Sequence, residues 1–281
     1  NSRRIIYDWE VTSQAGHAAE IAYNAALEDY EIIIAAGGDG TANEVINGIM
    51  LSGKPFDSRP ALAILSIGRG NDFAFGMGMA TNWIQGMDVL SNPGERTIDL
   101  AYVEGGDYPG GRFVGNGVGI GFDAVVGFVA ARNKVLTGFA SYVWAALKTI
   151  YLYYKAPRLR VELDDGVFDL NALMISIMNG RRMGGGFYMT PESKPDDGLF
   201  DLCIVKEVPK NRMIPLMLLF MQGNQSGHHA VQFKKSSRVK VTALDGTIPS
   251  HADGETICTE GNELSIKIIP NAIKVLVPQK P

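Results

Sequence analysis

The apolar run Ile32-Ile33-Ile34-Ala35-Ala36 ends at Gly37-Gly38-Asp39-Gly40-Thr41, and Val45, Ile46, Ile49 and Met50 then recur at helical spacing. The pattern predicts a strand over 31–36, a glycine turn and a helix over 41–51, with Thr41 and Glu44 spaced as a capping box. A second unit repeats the plan, with a strand over 61–67, the turn Gly68-Arg69-Gly70-Asn71 and a helix start over 72–78. Further helices are expected over 15–29 and 81–90. Strands of nearly continuous apolar character alternating with helices read as a parallel α/β sheet.

After about residue 99 the pattern changes. Short strand-like runs cover 112–118, 158–163, 168–178, 199–207, 238–243, 263–269 and 272–277, and Asp164-Asp165-Gly166 predicts a hairpin between its flanking runs. Helices over 138–154 and 212–221 interrupt them. The expected fold is therefore α/β plus all-β in two domains. Residues 1–98 form a parallel α/β nucleotide-binding domain and 99–281 a β-sandwich.

Composition excludes several classes. A net charge of −4 leaves no general basic field, so no nucleic-acid partner is expected. Cys203 and Cys258 have no second Cys or His at ligand spacing, which points to a reduced, cytoplasmic compartment. The longest apolar stretches, 142–154 and 213–221, are too short to span a bilayer, and neither a leader nor an internal repeat is read. The adjacent His228 and His229 lack a third ligand for zinc. The opening Asn1-Ser2-Arg3-Arg4 leads the reading to expect an earlier βα unit ahead of it.

The chemistry concentrates in the glycine loops. A strand, a glycine turn and a helix N-terminus make an anion site, because unbonded N–H groups and the helix dipole favour negative charge. Asp39 inside that loop would repel a polyphosphate unless a divalent cation lay between them, which suggests Mg²⁺-nucleotide chemistry. No Gly-Lys-Ser/Thr follows, so the loop is not a Walker A sequence. Parallel strands ending in two such turns place Asp39 and Asp72 along one sheet edge, with Asn71 and Asp72 set to cap the next helix or hold a metal-bound water. Three further polar islands follow: 116–124, 179–199, and His251-Ala252-Asp253-Gly254-Glu255. In the last, either carboxylate has the chemistry of a general base toward a hydroxyl, and His251 reads as a loop histidine.

Taken in order, Gly37-Gly38-Asp39-Gly40-Thr41, Gly70-Asn71-Asp72-Phe73-Ala74, Gly121-Phe122-Asp123-Ala124, the 179–201 stretch with Gly184-Gly185-Gly186, and Asp253-Gly254-Glu255 carry a family resemblance. The chain resembles the soluble bacterial diacylglycerol kinases, whose catalytic domain is shared with sphingosine and ceramide kinases, over about residues 5–277. The resemblance implies ATP in the cleft between the two domains and Mg²⁺-dependent transfer of its γ-phosphoryl group to a lipid hydroxyl, diacylglycerol giving phosphatidic acid. It implies that Gly37, Gly38, Asp39, Gly40, Thr41 and Asn43 line the phosphates and that Thr12 contacts ATP. Gly68, Arg69, Asn71 and Asp72 form the second nucleotide loop. Lys194, Asp197 and Leu199 match a Mg²⁺ site, joined through water by Asp39 and Asp72. Glu255 matches the proton acceptor, with Asp253 and Asp123 as supporting acids.

The chain departs from the family at Arg69, where a Thr is usual, at Phe75, where an Arg is usual, and in the opening strand with its Asn-Pro-x-Ser-Gly loop, absent from the residues given. The alternatives are an NAD kinase, which shares the first loop and the two-domain plan, and a non-catalytic nucleotide-binding relative. The implied partner is a lipid met at the inner face of the membrane by peripheral contact, and a homodimer is compatible with the family. The basic stretch 233–240 reads as headgroup contact or as a charged edge strand. Tyr142, Trp144, Tyr151, Tyr153 and Tyr154 read as packing against a sheet.

Overall fold

The computed structural model describes residues 6–132 and 139–279; the expected N-terminal residues 1–5 and the start of the 138–154 helix lie outside them. The first layer contains α1 (His17–Leu27), β1 (Ile32–Gly37), α2 (Asp39–Leu51), β2 (Ala61–Ser66), α3 (Asp72–Met77), α4 (Trp83–Ser91) and the start of β3 (Pro93–Gly105). The second contains β4 (Tyr108–Val114), β5 (Gly117–Gly121), α5 (Phe122–Ala131), α6 (Phe139–Leu152), β6 (Arg158–Leu163) and β7 (Gly166–Met178). It continues through β8 (Phe200–Lys206), α7 (Lys210–Gln222), β9 (Val231–Ser236), β10 (Arg238–Ala243), β11 (Ile248–Ala252), β12 (Glu255–Gly261) and β13 (Glu263–Pro278). No helix among the described residues is long and apolar enough to cross a membrane.

β1 and β2 pair in parallel from Ile32↔Ala61 to Gly37↔Ser66, so the two glycine loops leave the sheet side by side. Helices α1 and α2 cover one face through Ala18, Ala22 and Ala26 against Val45, Ile46 and Ile49. They approach so closely that a Cβ on Gly48 would lie 2.2 Å from the Ala19 carbonyl oxygen, which explains an Ala-rich helix facing a glycine. Helix α4 covers the other face with Val89 against Ala61, Ala63 and Leu276.

The apolar runs 263–269 and 272–277 form one strand, β13, with a register irregularity between Ile269 and Ile273. Its second half lies parallel to β2 at Val275↔Leu62, and its first half lies antiparallel to β10 at Leu264↔Val241. β3, which the sequence pattern did not predict, runs antiparallel along the whole of β13, and the expected boundary at 98/99 falls inside it. In the same way β7 pairs with β6 in its first half and with β5 and β8 in its second, passing from one sandwich sheet to the other. The sandwich core between them holds Val118, Ile120, Leu159, Ile175, Ile177, Leu202 and Val241.

The Thr41–Glu44 capping box does not form. Helix α2 begins at Asp39 with Gly38 as N-cap, and Thr41 lies within its first turn. The Glu44 carboxylate instead crosses to α1 and accepts the N–H groups of Gly16 at 2.8 Å and Ala18 at 3.1 Å. Gly16, with φ 85°, has no side chain to cap its own helix, so a neighbouring helix supplies the acceptor. Glu44→Ala is expected to cost about 1–2 kcal/mol and to speed amide exchange in α1 ahead of the rest of the first layer, as hydrogen-exchange mass spectrometry would show.

Candidate active site

The two glycine loops touch backbone to backbone. A Cβ on Gly68 would lie 2.3 Å from the Gly38 Cα, so no side chain fits between the strands' ends. Asp39 stands at the start of α2, and its Oδ1 accepts the Phe73 N–H at 2.9 Å, so the first loop caps the helix that follows the second. Asn71, expected as that cap, makes no capping bond; it adopts φ 53° and donates to Gly68 and Thr81 carbonyls across its own loop.

Asp39 and Asp72 converge. A Cβ on Gly70 would meet Asp39 Oδ2 at 3.0 Å and Asp72 Oδ2 at 3.4 Å. Asp72 is compensated: it accepts from Arg182 Nε at 2.8 Å and from the Gly185 N–H at 2.7 Å. The Arg182 guanidinium also lies 3.8 Å above the Phe75 ring, at the position where the family's usual Arg is replaced. Asp39 has no cation paired with it among the described residues, and burial followed by the charge of Asp72 pushes its carboxyl up to about 6. Burial also raises Asp72, opposed by the Gly185 N–H and by Arg182. Arg69 is exposed, and Thr12 shares with Thr41 a hollow of about 370 Å³ beside β1.

The Asp253–Glu255 turn comes up against this loop from the sandwich. Glu255 Oε1 would stand 3.7 Å from a Cβ on Gly40, and its Oε2 pairs with Arg112 Nη2 at 3.1 Å. About a third of the Glu255 side chain is exposed, so it faces the cleft. Asp253 is turned the other way. Its carboxylate is buried and accepts Asn43 Nδ2 and the Gly115 N–H at 2.8 Å, the Asn116 N–H at 2.9 Å and the Gly117 N–H at 3.0 Å. With these contacts its acceptor capacity is taken up, so Asp253 holds the turn and is not presented to a substrate. Burial raises its pKa while the donors oppose the shift. Asn43, expected at the phosphates, is buried; beyond Asp253 it donates to the Phe113 carbonyl and accepts from Arg112 and Asn47.

Asp123 lies deeper, at the start of α5, where its carboxylate accepts from Ser176 Oγ at 2.8 Å and the Ala124 N–H at 2.9 Å. His251 sits not in a loop but in β11, buried, and a Cβ on Gly119 would meet both His251 Nε2 at 2.4 Å and Asp123 Oδ2 at 2.5 Å. Burial pushes Asp123 up to about 7 and His251 down to about 4, so both tend toward their neutral forms. They sit on the wall of a cavity of about 100 Å³ between α5, α6, α7 and the sandwich, otherwise lined by residues such as Phe122, Ile150, Met183, Phe187, Leu216 and Phe220. Sequence reasoning missed this cavity, because its lining residues carry the same apolar spacing as a core.

Lys194, Asp197 and Leu199 occupy a turn tied to β3 and β9. Asp197 pairs with Lys235 at 2.9 Å and accepts the Leu199 N–H at 3.2 Å, and Asp99 accepts the Gly198 N–H at 2.8 Å. No hydrogen bond or ion pair found among the described residues joins this turn to Asp39 or Asp72, and no group of three or more His, Cys, Asp or Glu there is arranged to hold a metal. Lys234, Lys235, Arg238 and Lys240 are all paired with carboxylates, and β9 pairs only with β8. The 233–236 part, in β9, is thus a charge-protected edge, whereas 238–240 lie in β10 between β6 and β13.

Residues 1–103 match the model of the diacylglycerol kinase catalytic domain, and residues 116–277 match that of the YegS C-terminal NAD kinase beta sandwich-like domain. The diacylglycerol kinase of Staphylococcus saprophyticus is 30% identical over 269 residues, covering 94% of this chain and 85% of its own. The chain belongs to the diacylglycerol kinase family. Another member, the Bacillus subtilis diacylglycerol kinase, is 29% identical over 245 residues, 87% of this chain and 77% of that one. A diacylglycerol kinase structure from Bacillus anthracis shares the fold at a TM-score of 0.69 and 19% identity, covering 95% of this chain and 83% of that one. The family fold is the two-domain one expected, an α/β domain followed by a β-sandwich-like domain.

Asp253→Asn would keep two of the four bonds to the carboxylate and turn an amide NH₂ toward the other donors. It is expected to cost about 2–6 kcal/mol in denaturant unfolding. Asp123 yields a pH prediction. Its native pKa of about 7 lies above the ordinary 3.8, so the native state binds the extra proton between these values. Its contribution to stability is therefore greatest at low pH, declines as pH rises through about 4 to 7, and is level above that. The stability of the wild type minus that of Asp123→Asn is expected to fall across this window by up to about 4 kcal/mol, measured by urea unfolding at each pH.

Proposed function

We propose that the chain transfers the γ-phosphoryl group of ATP to the hydroxyl of diacylglycerol, giving phosphatidic acid. One observation carries the reading. Tyr142 lines the apolar cavity, and its hydroxyl is close enough to Asp72 and Asp39 for their charges, after burial, to raise its pKa. The Gly184–Gly186 turn makes the same connection: Gly184 packs on Tyr142 while the Gly185 N–H binds Asp72. An apolar chamber that adjoins a phosphate loop suits an acyl-bearing alcohol, whereas a dinucleotide would strand its polar groups there.

The residues divide the work. The N-terminus of α2 offers unbonded N–H groups and the positive end of its dipole to the nucleotide phosphates. Asp39 and Asp72, converging above Gly70 with Asp39 lacking a cation partner, fit a Mg²⁺ ion. When bound, the ion neutralises carboxylate and phosphate charge together. The 194–199 turn suits it less, since a cation at Asp197 would displace Lys235, which also lies 3.4 Å from Asp201. Glu255 accepts the proton of the attacking hydroxyl, and Arg112, fixed by Tyr108 and Asn43, keeps it aimed.

Transfer of labelled phosphate from Mg²⁺-ATP to diacylglycerol in mixed micelles tests the reading, with NAD as a parallel acceptor. Glu255→Gln is expected to lower kcat by about 10²–10⁴ with nucleotide affinity retained. Label entering NAD, or nucleotide binding without transfer, would replace the proposal with a dinucleotide kinase or a regulatory protein.

A further inference from the structure

The helices that wall the cavity also carry an uncovered apolar face. On α6, Trp144, Leu147 and Tyr151 follow helical spacing and are 40%, 42% and 81% exposed; on α7, Ile214 and Leu218 are 46% and 47% exposed. The opposite faces of the same helices supply Ala146, Ile150, Met213, Leu216 and Phe220 to the cavity. One side of each helix therefore encloses the chamber, and the other presents large apolar side chains to the outside.

The charges on the two helices have a single sign. Neither α6 nor α7 contains an Asp or Glu, and Lys148, Lys155, Lys210 and Arg212 lie on or beside them, in a chain whose net charge is −4. None of the four is in an ion pair among the described residues, in contrast to Lys234, Lys235, Arg238 and Lys240. Lys148 lies 5.0 Å over the Trp144 ring, Lys155 5.6 Å over Tyr153 and Lys210 5.7 Å over Tyr154. The nearby acid, Glu207, accepts from Tyr154 Oη at 3.3 Å. Aromatic rings with lysines set beside them suit the headgroup level of a bilayer, where the ring is half-buried and the ammonium meets phosphate.

We propose that the outer faces of α6 and α7 form the surface by which the protein docks on an anionic lipid bilayer. Trp144, Leu147, Tyr151, Ile214 and Leu218 enter the boundary between headgroups and acyl chains, and Lys148, Lys155, Lys210 and Arg212 meet lipid phosphates. The charge complementarity selects the occupant: an unpaired basic rim around an apolar centre, on an otherwise acidic protein, matches an anionic bilayer. The inference deepens the lipid-acceptor reading and rests on it for its purpose, since the same two helices then bear on both the bilayer and the acyl chamber.

Sedimentation with phosphatidylcholine vesicles, with and without phosphatidylglycerol, tests it using the full chain. Wild-type protein is expected to bind the anionic vesicles and to release at high salt. Trp144→Ser/Tyr151→Ser should weaken binding at least about tenfold, and Lys148→Ser/Lys210→Ser by on the order of 25-fold, about fivefold per cation. Lys234→Ser/Lys235→Ser should bind like wild type. Thermal midpoints check that the variants fold, and Trp144 as sole tryptophan, in Trp9→Phe/Trp83→Phe, should shift its emission to the blue on anionic vesicles. Wild-type binding by both surface variants, or loss of a dimer in them by light scattering, would overturn the proposal, the second by giving the face to another copy of the chain. Phosphorylation of a short-chain diacylglycerol below its micellar concentration separates the two readings. Vesicle binding through these residues without any lipid phosphorylation sinks the kinase reading alone; phosphorylation with unaltered vesicle binding in the variants sinks the docking surface alone.

Discussion

A carboxylate buried without a cation must be met by hydrogen-bond donors, and Asp253 meets its requirement from both domains at once. Asn43 reaches it from α2 of the first layer, while Gly115, Asn116 and Gly117 reach it from the β4–β5 connection of the sandwich. The turn that holds it is the two-residue Asp-Gly loop of the β11–β12 hairpin, with Asp253 at φ 49° and Gly254 at φ 85°, left-handed values that suit the twist of the flanking strands. The position of Glu255, two residues on, thus follows from bonds that Glu255 does not make. Replacing Asn43 by an apolar residue would remove the side-chain donor and loosen the turn even if every residue facing the cleft were kept.

The cleft and the chamber beside it handle charge in opposite ways. In the cleft, carboxylates are offset by guanidinium groups: Arg182 with Asp72, Arg112 with Glu255. Asp39 is left over, held near another carboxylate and short of positive charge, which is the condition a divalent cation relieves. In the chamber the ionisable groups are shifted toward neutrality by burial, Asp123 upward and His251 downward. The His251 Nδ1 has no partner among the described residues, so the chamber keeps one polar atom unsatisfied in an apolar lining. Tyr142 stands where the two regimes meet.

Much of this was readable in the chain, and the failures have physical causes. Residues 32–36 and 61–66 showed as strands because continuous apolar runs ending in glycine leave few other options. The convergence of Asp39 and Asp72 followed from equal positions after parallel strands. β3 was missed because Pro93-Gly94 looks like a boundary, although it is tolerated at the first residues of a strand beside the end of β13. β5 and α5 were hidden by glycines at 117, 119 and 121, which are needed where Met178, His251 and Leu173 press close. Thr41 and Glu44 had capping spacing, but spacing cannot tell whether an acceptor serves its own helix or the neighbour's. The roles of Asn43 and Asp253 depended on partners about two hundred residues apart, beyond any local pattern.

The sharing of β13 between both layers bears on how the chain acquires its shape. Among the described residues, the strand that continues the sheet of β1 and β2 is the stretch around Val275, about two hundred residues further along the chain. During synthesis that stretch emerges long after β1 and β2 have left the ribosome. A pairing of such sequence separation is slow to close, so the sheet that positions the glycine loops depends on one of the last segments the chain supplies.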